Sequence, residues 1–290
     1  MKEAKTCVSV LICVRNVEKY IADCIASILD QTYRDFELII VDDSSDDNTK
    51  KIIEKFKDER IRYFRNEKWL GISKSRNLCV KYAKGDNLFF TDGDCIVSRD
   101  WIEQGLMFLK NPGYAGVEGK IYYVSEKYEP TFSDHSYSRK PGGFMTGNMA
   151  YKKRAIENVG GFDERYSYNE DKDLAFRILR IGKIKFNPNM IVFIQKQVLT
   201  PKQLVKQANI IKNRVYLFKR FGDKDVISWR IIDPWSLAKL LCPPLVFTSL
   251  FFKKFETADD YKLLPYTYVQ SILARLQLWR ECAKERVFLI

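Results

Sequence analysis

Two carboxylates separated by one glycine, Asp92-Gly93-Asp94, stand at the end of the apolar run Leu88-Phe89-Phe90-Thr91. Two such groups held close together form a hard-oxygen site suited to Mg²⁺ or Mn²⁺ carrying a phosphate. On the tripeptide alone a solvated acidic turn is the better reading, so its meaning rests on what positions it. Bulky residues from Leu88 to Phe90 fit a strand covered on both faces. Asp-Gly-Asp cannot continue that strand, because glycine favours a turn and carboxylates resist burial. The aspartates are therefore expected at its carboxyl end, on the rim where open α/β sheets bind ligands. A second acidic group, Glu170-Asp171, opens a helical pattern from Asn169 in which Leu174, Ile178 and Ile181 recur, ending at Gly182. Acids in a first turn complement the helix dipole, which accounts for them on structural grounds alone.

The elements that would carry these groups alternate. Val8 to Val14 reads as a buried parallel strand, closed by Arg15-Asn16. Asn16 is a good N-cap for a helix in which Tyr20, Ile21, Cys24, Ile25, Ile28 and Leu29 recur through to Gln31. Phe36 to Val41 makes a second strand, ending in the polar turn Asp42 to Thr49 that caps a helix through Phe56. Ile61 to Phe64, Ile72 to Tyr82 and Leu88 to Thr91 continue as strand, helix and strand. This alternation predicts a parallel sheet with every strand's carboxyl end on one rim. Beyond Asp94 the pattern gives a helix at Trp101 to Leu109 and a strand-like Gly116 to Val124. A loop from Ser125 to Gly143 holds the single histidine, His135, expected on the surface; a further strand, Phe144 to Tyr151, is expected to pair antiparallel nearby.

The C-terminal third reads differently. Pro201 to Phe221 predicts a basic amphipathic helix, fitted to pack on the domain or to lie on an anionic bilayer. Trp235 to Phe252 is apolar apart from Lys239 and is broken by Pro243-Pro244. Its uncharged part is shorter than the ~20 residues that usually span a bilayer. An interfacial or re-entrant segment, a span and a soluble helical pair all remain open. Tyr266 to Lys284 reads as one more amphipathic helix.

A chain of 290 residues, 46% of them apolar, holds one large α/β domain and an appendage. Its formal net charge of +12 points to an anionic partner. No zinc-finger spacing, RNA-binding aromatic signature or basic low-complexity arm is present, so nucleic acid is not expected. Seven cysteines without C-x-x-C spacing fit a reducing, cytoplasmic compartment. The N-terminus, without the apolar segment of a secretory signal, makes export unexpected.

The stretches Val8-Ser9-Val10-Leu11-Ile12, Arg15-Asn16 with Tyr20-Ile21, Ser27 to Tyr33 and Glu37 to Thr49 resemble the opening of a glycosyltransferase family 2 enzyme. The resemblance continues in Gly71 to Asn77, Asp92-Gly93-Asp94, Gly147-Asn148-Met149, Gly160 to Glu164 and Glu170-Asp171 with Asp173-Leu174, covering roughly residues 7 to 195. It implies an α/β fold of the glycosyltransferase A-type: a Rossmann-like, mixed, mostly parallel sheet flanked by helices, here followed by a helical C-terminal appendage. The expected division is residues 1–200 for donor and acceptor binding and 201–290 for a helical, membrane-associating region. Also implied are a nucleotide-sugar donor, a divalent metal (Mn²⁺ or Mg²⁺) and inversion at the anomeric carbon. Position by position, Asp42 would accept from the nucleotide base. Arg15, with its neighbour Val14, and Arg76 would lie along the nucleotide and its diphosphate. Asp92 would sit by the ribose or the metal's water shell, Asp94 would ligate the metal, and Asp171 would be the general base, oriented by Glu170. Gly93 stands where the family more often has alanine, a departure expected to be harmless. The Gln-x-x-Arg-Trp element of processive synthases is absent, so a single transfer is expected.

The chemistry asks for these residue types. A nucleoside diphosphate must leave with its charge stabilised, by a metal and by arginines. An acceptor hydroxyl must lose its proton to a carboxylate within hydrogen-bond reach. A base has to be ionised, so no raised pKa is required of Asp171. The expected partners are a UDP-sugar and a glycan or lipid-linked acceptor, met at the inner face of the cell membrane through peripheral contact. A sugar-phosphate nucleotidyltransferase would want a glycine-rich phosphate loop after the first strand, which Cys13-Val14-Arg15-Asn16 does not offer. A non-catalytic nucleotide-sugar-binding or scaffold protein would share the fold and differ only in turnover.

Overall fold

A computed structural model of the chain describes residues 8–124, 142–195, 210–222 and 264–287. The chain divides into two compact units, residues 1–196 and 197–290. In the first, Val8–Val14 (β1), Phe36–Asp42 (β2), Ile61–Arg65 (β3) and Asn87–Asp92 (β4) run parallel, in the spatial order β3-β2-β1-β4. Residues alternate between faces along each strand. Val8, Val10, Ile12, Val14, Leu38, Ile40 and Phe89 point to one side. There they meet Ile21, Cys24, Ile25 and Ile28 of helix α1 (Ile21–Leu29) and Trp101, Ile102 and Leu106 of helix α4 (Trp101–Leu109). Leu11, Ile39, Val41, Leu88 and Phe90 point to the other. Cys79 and Val80 of α3 (Ile72–Tyr82) cover them, with Ala155 and Ile156 of α5 (Lys153–Asn158) and Leu174, Ala175 and Ile178 of α6 (Glu170–Ile178). The short α2 (Thr49–Ile53) follows β2. Both faces of the central strands are thus dry, as their apolar runs require.

At the amino end of these strands Glu37 gathers Ser9 Oγ at 2.6 Å, Arg62 Nη1 at 2.5 Å and the Lys84 N–H at 2.6 Å. The sheet then becomes mixed. Met149–Lys152 (β7) pairs antiparallel with β4 and with Tyr114–Val124 (β6); Lys183–Gln195 (β8) runs parallel to β6; and Cys95–Val97 (β5) pairs antiparallel with β8.

Four expectations need correction. Strand β7 starts at Met149 rather than Phe144, because Phe144 takes a left-handed backbone (φ 51°) and Thr146–Asn148 form a 3₁₀ turn. Strand β8 was not expected, since a register shift between Gly119 and Lys120 leaves Pro188-Asn189-Met190 out of the ladder and breaks its alternation. Strand β5, three residues long, was not expected either. Asn16 does not cap α1, which starts five residues later; it sits at φ 54° and accepts the Asp46 N–H at 2.9 Å, tying the loop after β1 to the loop after β2.

In the second unit, Ile210–Phe221 (α7) and Leu264–Glu285 (α8) pack through Val215, Ala274, Leu278, Cys282 and Val287. The predicted start of the first helix at Pro201, the segment Trp235 to Phe252 and His135 lie outside the described residues. Among the described residues no helix is long and apolar enough to cross a membrane.

Gly93 is not interchangeable with alanine here. A Cβ at this position would come within 2.7 Å of Val14 Cγ1 and 3.3 Å of Val17 Cγ2. Val14 is 3% exposed and has little room to yield. Gly93→Ala is therefore expected to destabilise the fold by about 1–3 kcal/mol, the usual cost of overpacking. Adding Val14→Ala should recover part of it, giving a coupling energy in a double-mutant cycle of urea unfolding; purely additive losses would show that the two side chains do not compete for the same space.

Candidate active site

In register, Val14 lies beside Asp42 and Cys13 beside Asp92, so the carboxyl ends of β1, β2 and β4 share one rim. Asp92 closes β4 and Asp94 lies in the turn to β5. The 3₁₀ turn locks this tip from the side: Thr91 Oγ1 donates to the Gly147 carbonyl at 2.9 Å, and a Cβ on Gly147 would stand 3.0 Å from Asp92 Oδ2. A larger residue there would push against the Asp92 carboxylate. Ligand atoms of Asp92, Asp94 and Cys95 lie within 4.8 Å of one another. The Cys95 thiol is buried, and burial together with the two aspartates pushes its pKa up, so it stays a neutral, soft donor. The hard donors are the two carboxylates, a set that fits Mn²⁺ or Mg²⁺ shared with phosphate oxygens.

Arg76, in the second turn of α3 and 7% exposed, joins this tip to a distant part of the chain. It donates from Nη2 to Asp92 Oδ1 at 3.1 Å and from Nη1 to Glu170 Oε1, the first residue of α6. The Phe162 ring lies 5.8 Å from the guanidinium carbon. Burial works against the arginine's charge, and the carboxylates of Glu170 and Asp92 more than offset it, raising the pKa further. Asn169 turns the chain into α6 through a left-handed backbone (φ 63°), a conformation asparagine tolerates better than most residues. Asp171 follows, partly buried, its Oδ1 accepting the Lys172 N–H at 2.8 Å. Burial and the adjacent charge of Glu170 push its pKa up to about 7, against the pull of Arg76 and of that N–H.

The remaining predicted residues sit on the β1–β2 part of the rim. Asp42 is fully buried and accepts from the Ser45 N–H at 2.8 Å and the Tyr63 hydroxyl at 2.7 Å. Each of its oxygens carries one of these bonds and keeps a further lone pair for a donor such as a nucleotide base. Val14 offers the rim its main chain, whose carbonyl accepts the Asp43 N–H at 2.8 Å, while its side chain is buried against Gly93. Arg15 is exposed and lies over the Trp69 ring, 5.4 Å from its centroid.

Asp43 has a part the sequence reading did not assign. It accepts from Asn66 Nδ2 at 2.8 Å, Leu70 N–H at 2.8 Å and Gly71 N–H at 2.9 Å, pinning the loop before α3 to the end of β2. Two of these donors are backbone amides, which carry no residue signature. Asp92, Asp94, Arg76, Glu170 and Asp171 therefore form one linked group, with Asp42, Val14 and Arg15 alongside on the same rim.

Residues 9–179 match the family model described as glycosyl transferase family 2. Over 220 residues the chain is 28% identical to the UDP-Glc:alpha-D-GlcNAc-diphosphoundecaprenol beta-1,3-glucosyltransferase WfaP of Escherichia coli, covering 71% of this chain and 86% of that one. It is 37% identical over 121 residues to glycosyltransferase GlyG of Streptococcus pneumoniae serotype 4, a match to 41% of this chain that spans only 40% of that relative's length. The mannosyltransferase PcManGT from Pyrobaculum calidifontis, solved with GDP-Man and Mn²⁺, has a TM-score of 0.66 over 94% of this chain and 87% of its own, at 17% identity. S. aureus TarS, solved with UDP-GlcNAc, has a TM-score of 0.58 over 96% of this chain and 92% of its own, at 20% identity. The structural likeness shows the fold, which is the glycosyltransferase A-type. The family match extends over more than half the chain and takes in every residue of the linked group: this chain belongs to glycosyltransferase family 2.

Proposed function

We propose that this glycosyltransferase is inverting and metal-dependent, and that it moves a single sugar from a nucleoside-diphosphate sugar, a UDP-sugar by default, to a hydroxyl, or a lipid phosphate, of a glycan or lipid-linked acceptor at the cytoplasmic face of a membrane. One observation carries the reading. The same buried guanidinium pairs with Asp92 at the metal-compatible strand tip and with Glu170 at the helix start, which supports a reading in which the diphosphate leaves from the strand tip and Asp171, next to Glu170, acts on the acceptor. In the reaction an acceptor oxygen attacks the anomeric carbon on the face opposite the diphosphate. Asp171 takes the hydroxyl proton as the new C–O bond forms, and the old C–O electron pair departs with the diphosphate. A base whose pKa lies near the working pH combines adequate ionisation with adequate proton affinity. Asp94, with Asp92, would hold the divalent ion, which supplies charge stabilisation to the leaving group when bound. Glu170, fixed by Arg76, positions Asp171 and keeps its proton affinity high.

The donor and acceptor classes take support from relatives. TarS was solved with UDP-GlcNAc, and WfaP carries a diphosphoundecaprenol acceptor in its name. The membrane location is supported by that acceptor and by the chain's excess positive charge of +12, which suits anionic head groups.

Asp171→Asn should lower kcat by about 10²–10⁴-fold, the usual contribution of a positioned base, while donor binding persists. Because burial raises the folded-state pKa above the unfolded value, the ionised carboxylate disfavours folding above that unfolded value. The variant should thus be no less stable than the parent at neutral pH. In the parent, kcat/KM should fall as pH drops through about 7, since only the ionised form accepts a proton; a profile flat from acid to alkaline pH removes Asp171 from the role. Asp94→Ala is expected to abolish Mn²⁺-dependent donor binding, and calorimetry showing unchanged binding would end the metal assignment. Detergent-free extracts should leave a good part of the intact chain in the membrane pellet; complete solubility would count against the location.

A further inference from the structure

Trp69 is exposed to 65%, more than any other large apolar side chain among the described residues. A single exposed apolar residue needs no explanation by itself, but this one is held in place. The two residues that follow it, Leu70 and Gly71, donate their N–H groups to Asp43, and Asn66 is fixed at both ends, its N–H on the Asp42 carbonyl at 2.9 Å and its amide on Asp43. Gly71 turns the chain at φ +91°, a conformation open to glycine, so the loop enters α3 with a set direction. Arg15, from the loop after β1, places its guanidinium 5.4 Å from the centre of the indole ring. The outcome is an exposed aromatic surface on a tethered loop, with a cation against it, standing beyond the carboxyl ends of β1 and β2.

Its position along the rim indicates what it faces. Sheet order runs β2, β1, β4, so Trp69 and Arg15 stand on one side of Asp92 and Asp94. Helix α6, which carries Asp171 and meets Arg76 through Glu170, also contacts β8, which lies on the other side of β4 in the sheet order. A nucleoside-diphosphate sugar is laid out as base, ribose, diphosphate and sugar. With the diphosphate at the strand tip and the sugar toward Asp171, the base falls on the Trp69 side. The geometry points to Trp69, with Arg15 against it, as the surface on which the donor's nucleobase stacks, an inference that rests on the donor reading above. Every base has a π-face, so such a surface contributes affinity across bases. Choice among bases is left to hydrogen bonds at the base edge.

Calorimetry with Mn²⁺ tests this using UDP, GDP and inorganic diphosphate as ligands. Base stacking is worth about 1–3 kcal/mol. Trp69→Ala should accordingly weaken UDP and GDP by about 10-fold or more, leave inorganic diphosphate as in the parent, and be largely reversed by Trp69→Phe. Unchanged nucleotide affinity in Trp69→Ala overturns the inference, as does an equal loss for inorganic diphosphate, which would mean the loop has collapsed. A rise in acceptor KM with nucleotide affinity intact would overturn it too, placing the ring under the acceptor. The donor reading fails separately: in that case the parent protein itself binds neither nucleotide.

Discussion

A guanidinium taken out of water must be met by negative charge, and Arg76 is met by two carboxylates that the sequence keeps far apart. Asp92 lies 16 positions from it and Glu170 lies 94. Desolvating such a cation costs several kcal/mol unless both partners are in place. The β4 tip, the second turn of α3 and the start of α6 are therefore mutually dependent, and loss of one acid would leave a buried charge short of its partner. The network is a weak source of stability and a strong source of geometry. It also fixes the first residue of α6, and with it the position from which Asp171 follows.

Around that centre the rim is built by short tethers. Asp43 draws the loop before α3 onto β2, Asn16 ties the loops after β1 and β2 together, and Gly147 lets the 3₁₀ turn lean on Asp92. Each tether joins segments that arrive from different strands, so the ends of a rigid parallel sheet become one continuous surface. Binding groups on the tips of a rigid scaffold is a common division of labour in α/β proteins.

Much of this was legible in the residues. The central strands announce themselves because covering both faces demands apolar runs, and the acidic tips stand out where those runs stop. What stayed hidden depends on the third dimension. Asp171's raised proton affinity comes from burial and from Glu170 beside it, and the degree of burial is not encoded in a first-turn acid. Asp43 looked like one more residue of a polar turn, because its donors are mostly backbone amides. Gly93 reads as interchangeable with alanine in the sequence, which does not reveal that Val14 fills the space a methyl group would need. Strand β8 was masked by its bulge, and β5 is too short to show a period.

The dry central strands have one more consequence. A strand that is apolar on both sides has no polar side to send outward, so sliding it by one residue swaps one greasy face for another and is poorly resisted by the usual in-and-out code. What resists slippage lies at the ends: Glu37 with Ser9 and Arg62 at one, Asp42 and Asp92 with their donors at the other. The residues that make the chemistry conceivable thus also serve as registration marks, and any redesign that neutralises them risks misaligning the ladder they terminate.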